Sequence, residues 1–150
     1  MLKIRTKVRA KMIFSLIAGP LLCVYILIPL LSALFLKCLP LVPKEHVLLA
    51  FTILGAMAVA ASGFLMSLII SYFSISREIR TTLYGVLIAS ILIVVCSFIF
   101  LPVPPQVNRT HWLLKITLDT AINIVALLCF AIIGAWVYAT IRKSVKQARQ

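Results

Sequence analysis

Four apolar runs of twenty residues or more, joined by short polar links, constrain this chain more than any other feature. A helix crossing about 30 Å of hydrocarbon needs about 20 apolar residues in a row. The runs extend from about Met12 to Leu36, Val47 to Phe73, Thr82 to Leu101 and Trp112 to Ile141, and they use most of the 150 residues. Composition agrees: 63% of the chain is hydrophobic and 12% is Asp, Glu, Lys or Arg. Soluble domains are about 45–50% apolar and about 25% charged, so a water-soluble fold is excluded. Disorder is excluded too, because it needs low hydrophobicity. The expected fold is an all-α integral membrane protein, a single domain built as a bundle of four transmembrane helices. The remaining segments are too short for a soluble catalytic domain, so any chemistry lies in the bundle or at its rims.

The first run contains Pro20 and Pro29. Each proline removes a helix hydrogen bond and should bend the helix. Neighbouring helices can satisfy the freed carbonyls in lipid. The run is too long for a signal-peptide core of about 7–15 residues. Phe35-Leu36-Lys37-Cys38 lacks the small residue that a lipoprotein site places before its cysteine. The run therefore reads as a retained first span.

Basic residues set the expected orientation. Lys3, Arg5, Lys7, Arg9 and Lys11 precede span one. Arg77 and Arg80 lie between spans two and three, and Arg142, Lys143, Lys146 and Arg149 follow span four. Against these eleven, the other two links hold only Lys37, Lys44, Arg109 and Lys115. The positive-inside rule then puts both termini in the cytoplasm. Tyr72, Tyr84, Trp136 and Tyr138 fit the inner interface and Trp112 the outer one. Compact loops and the lack of a targeting tail fit a bacterial inner membrane.

The net charge of +12 resides mainly in the head (residues 1–11) and the tail (residues 142–150). Each basic residue near an anionic leaflet is worth about 1 kcal/mol, so anionic lipid headgroups are the expected partners of both ends. In the head, a basic residue falls at every second position. On a helix this spreads charge around the axis, whereas an extended head would gather all five on one edge, as a docking strip for an acidic partner. No aromatics are interleaved with the charges, so nucleic acid is not an expected partner.

Asp119 is the only acidic residue inside an apolar run. It lies seven residues below Trp112, about 10 Å along a helix. Ionisable residues at such depth are rare and often functional. Lys115 stands four positions before it and Asn123 four after, so the three share a helix face. The structural reading pairs Asp119 with Lys115 and bonds Asn123 to a neighbouring helix. The functional reading is a proton or cation site, or a polar contact with another protein.

Span two also carries a stripe of small residues: Thr52, Ala56, Ala60, Gly63 and Ser67, spaced to line one face. Such a face permits close backbone approach, by another span of the bundle, a partner helix or a second copy. Ala131, Gly134 and Ala135 in span four, and Gly85 and Ala89 in span three, are patches of the same kind.

No cofactor or metal is expected. His46 and His111 fall at the outer ends of spans, whereas a haem wants ligands inside them and a metal wants a larger ligand set. Cys23, Cys96 and Cys129 lie within spans as small apolar groups, Cys38 lies near the outer surface, and no Cys-x-x-Cys occurs. A Cys38–Cys96 bridge would require adjacent helix ends and is not expected. Asn108-Arg109-Thr110 matches the glycosylation pattern, but in a short loop beside the bilayer it reads as chance. Phosphate-binding loops, Gly-x-Ser-x-Gly and His-Glu-x-x-His are absent. Glu45, Glu78 and Asp119 make no carboxylate pair for acid–base work. An enzyme acting on lipid or quinone would have to rely on His46, His111 or Asp119 and is not expected.

The function that fits best is contact. The chain reads as an accessory, assembly, regulatory or immunity-type protein with no catalysis of its own, bound to another membrane protein or to a second copy. The alternative is a small homodimeric proton-coupled transporter using Asp119.

Overall fold

The computed structural model describes residues 2–37, 40, 43, 46–74, 78–100 and 108–148. Among these, all regular structure is helical. The elements are α1 (Leu2–Leu22), a π-helical turn (Cys23–Leu27), α2 (Ile28–Leu36), α3 (Val47–Phe73), α4 (Glu78–Phe100) and α5 (Arg109–Gln147). Four segments are long and apolar enough to cross a membrane: Ile13–Leu36, Leu49–Phe73, Ile79–Ile99 and Arg109–Gln147. Cys38, Lys44, Glu45, Arg77, Arg149 and the prolines at 102, 104 and 105 lie outside the described residues.

Several boundaries differ from those read off hydropathy. The head is helical from Leu2, so the extended basic strip is not formed and alternate positions fall on opposite sides of α1. Helix α4 begins at Glu78 rather than Thr82. Helix α5 begins at Arg109 because Asn108 caps it, its Oδ1 accepting from the Thr110 N–H at 3.1 Å. The sequon asparagine is thus an N-cap. Helix α5 then runs through the basic tail to Gln147, 39 residues in all, about 58 Å at 1.5 Å per residue. That is nearly twice the hydrocarbon thickness.

Pro29 explains the π turn. Its missing N–H and its ring would both conflict with the carbonyl four residues back, on Tyr25. The chain shifts register instead, and the Ile28 N–H donates to the Cys23 carbonyl five residues back. Pro20, by contrast, sits inside α1 without interrupting it.

Helices α3 and α4 form an antiparallel hairpin. The first span (α1, the π turn and α2) packs on one flank and α5 on the other, with α5 parallel to α3. The α3–α5 seam is tight because glycines form it. A Cβ on Gly63 would lie 2.9 Å from the Leu127 carbonyl oxygen, and one on Gly134 would fall on the Ser67 hydroxyl. On the other flank, a Cβ on Gly19 would meet Ile70 at 3.0 Å. Lipid tails are as apolar as leucine, so this close packing, rather than water exclusion, holds the spans together.

Burial is uneven along the bundle. Buried residues occur at Ser15–Val24 in the first span, Ala58–Ser74 in α3, Thr81–Ile93 in α4 and Leu127–Ala135 in α5. Most of these lie in the half that holds the start of α1, the end of α3 and the end of α5, with Val24, Val59 and Ile93 near mid-bundle. In the opposite half, Thr120 is the one described residue that is buried. There α2 packs on α3 and makes no comparable contact with α4 or α5. The bundle is tight at one end and splayed at the other.

Candidate functional site

In the tight half, polar side chains satisfy one another. Ser71 and Thr82 hydroxyls lie 3.5 Å apart and Ser74 and Thr81 hydroxyls 3.3 Å apart, all four buried. The Arg142 Nη1 donates to the Ser74 carbonyl at 3.3 Å, tying the end of α5 to the α3–α4 turn. Among the described residues, no buried side-chain nitrogen or oxygen lacks a partner. Sequence reading passed over this cluster, although the two pairs are nested about the turn in the manner of a hairpin.

The small-residue stripe divides between the two halves. Ala60, Gly63 and Ser67 are buried, and α5 covers Gly63 and Ser67 through Leu127 and Gly134. Ala131 and Ala135 of α5, and Gly85 and Ala89 of α4, are buried in the same half. These residues are taken up inside the bundle and offer nothing to a partner. Thr52 and Ala56 are only half-buried, because they lie where the helices diverge.

Asp119 belongs to the splayed half. It is half-buried, and with Asn123 and Ile122 of α5 and Phe51, Thr52 and Gly55 of α3 it lines a crevice of about 100 Å³. The structure therefore brings Thr52 of the stripe to Asp119 and Asn123. Lys115 is exposed and outside the crevice lining. Among the described residues it makes no ion pair with Asp119, contrary to the pairing expected from their spacing. An ammonium at the rim keeps its hydration more cheaply than it could be desolvated against a half-buried carboxylate. A charged residue at the centre of a membrane helix costs about 2.5–3.5 kcal/mol on insertion scales. Among the described residues, the crevice lining holds a hydroxyl and an amide but no opposite charge.

A second cavity, about 280 Å³, lies beside the first, and Asn123 lines both. Tyr25 and Pro29 form its wall on the first span, Val59 on α3, and Ile93, Cys96 and Ser97 on α4. It lies between the first span, α3 and α4, with Asn123 of α5 closing it. The Cys96 thiol donates to the Tyr25 hydroxyl oxygen at 3.9 Å across it. Sequence reading did not single out Tyr25, Ser97 or Val59. The only signal was Pro29, and it forecast a bend rather than a cavity.

The remaining candidates sit apart. His46 precedes α3 and His111 lies in the first turn of α5, both exposed. Cys23, Cys96 and Cys129 are free thiols. No protein-family model matches this chain, and neither does any curated protein or any solved structure.

Proposed function

We propose that this chain acts by contact, as an accessory, assembly, regulatory or immunity-type membrane protein, and that the splayed half of its bundle is the contact surface. The observation that carries the reading is the Asp119 crevice. A half-buried carboxylate on a helix of membrane-spanning length lies in a crevice between α3 and α5 beside Thr52 and Asn123, with no opposite charge among the described lining residues. A helix of another membrane protein bringing a donor or a cation to Asp119 would remove most of its burial cost. The tight half holds the fold together while this surface is empty. The distribution of Lys and Arg supports both termini being cytoplasmic, which puts the crevice in the outer leaflet of a bacterial inner membrane. The basic ends of α1 and α5 then reach the anionic inner leaflet.

The test is photocrosslinking in native membranes from Ile122, at the crevice, with Ile99 on the exposed end of α4 as control. A discrete protein adduct from Ile122 alone, lost in Asp119→Asn while that variant still inserts, is the expected result. Lipid adducts only, together with a monomeric native mass in mild detergent, would sink the reading. A self-adduct, with proton-coupled uptake that Asp119→Asn abolishes, would put a homodimeric carrier in its place.

A further inference from the structure

The second cavity, which Tyr25 and Ser97 line, has a chemistry of its own, independent of the contact reading. We infer that it binds an uncharged, membrane-dissolved ring compound bearing acceptor oxygens, of the quinone class.

Four observations lead there. The first is the wall. The chain leaves α-helical register at Cys23–Leu27 and resumes it before Pro29, and single π turns of this kind occur frequently at functional sites. Tyr25, inside the turn, lines the cavity. The second is polarity. Tyr25, Ser97 and Asn123 bring two hydroxyls and an amide to one apolar chamber. The Tyr25 oxygen accepts from Cys96, which leaves its own O–H to donate. Among the described residues, Ser97 and Asn123 give their hydrogens to no protein group. A lipid tail cannot accept them, whereas a carbonyl oxygen can.

The third observation is charge. Among the described residues that line the cavity, none is charged at neutral pH. A charged ligand would lose its hydration with no counter-charge in return, so the ligand is neutral. The fourth is size and access. A cavity of about 150 Å³ takes a benzene ring, so about 280 Å³ takes a ring with its substituents. Tyr25 is 55% exposed on the outside of the bundle, and α2 stands away from α4 just beyond it. Entry is therefore sideways, from the lipid, and a hydrocarbon tail can remain in the gap.

The experiment uses the full chain purified in detergent micelles, with an azido-benzoquinone as photoprobe. Label is expected in the segments around Tyr25–Pro29 and Ile93–Ser97. A decyl-benzoquinone should displace it, while naphthalene (a ring without oxygens) and decanol (a chain with one) should not. Asn123→Leu should weaken displacement about five- to tenfold, the worth of one hydrogen bond. Ser97→Ala should do so to a similar or smaller degree, and it removes only one oxygen if the larger change disturbs folding. Label scattered over the lipid-facing residues, equal displacement by naphthalene or decanol, or unchanged affinity in both variants would overturn the assignment. No partner protein is present, and Ser97 lines this cavity but not the Asp119 crevice, so the Ser97→Ala result is independent of the contact reading.

Discussion

Replacing Gly134 with alanine should loosen the tight seam between α3 and α5. The new methyl would fall on the Ser67 hydroxyl and lie 2.9 Å from the Phe64 carbonyl oxygen and 3.1 Å from Phe64 Cδ2. The hydroxyl can rotate away, but it would give up its bond to the Phe64 carbonyl, 2.7 Å long. The carbonyl belongs to the α3 backbone and can yield only if the helices separate. Overpacking of this kind costs about 1–3 kcal/mol, and the displaced hydrogen bond adds about 0.6 kcal/mol. Alanine returns up to about 1 kcal/mol through helix propensity. The net expectation is a loss of about 1–3 kcal/mol. Gly55 is the internal control, because a Cβ there meets nothing within 4 Å. Gly55→Ala should be neutral or stabilising by up to about 1 kcal/mol. Reversible unfolding in mixed micelles, followed by circular dichroism as denaturing detergent rises, would separate the two. Their unfolding constants should differ by a factor of about 5 or more, at 1.4 kcal/mol per tenfold. Adding Ser67→Ala to Gly134→Ala should recover part of the loss, since it clears the hydroxyl but leaves the carbonyl. Equal stability of Gly134→Ala and Gly55→Ala would refute the claim that α3 and α5 meet through glycine.

Other perturbations test the remaining structure. In a double-mutant cycle, Ser71→Ala and Thr82→Val should couple by about 0.6 kcal/mol, the average for hydrogen bonds between membrane helices; zero coupling would mean that the 3.5 Å contact contributes nothing. Leu127 is fully buried over Gly63 and Leu118 is 62% exposed, so Leu127→Ala should cost about 2–5 kcal/mol and Leu118→Ala within about 0.5 kcal/mol in the same unfolding assay. Asn108→Ala should remove the cap of α5 at a cost of about 1 kcal/mol, read as faster hydrogen exchange at the Thr110 amide, whereas Asn108→Asp should keep exchange slow.

The candidate site was partly legible in the sequence, and the division has a physical cause. Lys115, Asp119 and Asn123 are spaced by one helical turn, and one helix suffices to put them on a face. Whether Lys115 neutralises Asp119 depends on the surroundings of each, and periodicity does not carry that information. The stripe from Thr52 to Ser67 is likewise a property of one helix. Its division into a part covered by α5 and a part left half-open depends on where two helices diverge. Tyr25 and Ser97 lie 72 positions apart in the chain, and no local signal links them.

The sequence by itself determined that the chain is helical and long enough to cross a membrane four times. In lipid every backbone group must be satisfied within its own segment, so twenty apolar residues leave little choice but a helix. Hydrophobicity says nothing, however, about which face of a span meets which neighbour, because every face is apolar. That choice falls to shape. Gly63 and Gly134 let α3 and α5 close together, and Pro29 forces the register shift in the first span. The opposite half lacks such contacts, and only the assembled structure reveals that it is open and lined by Asp119, Asn123 and Tyr25.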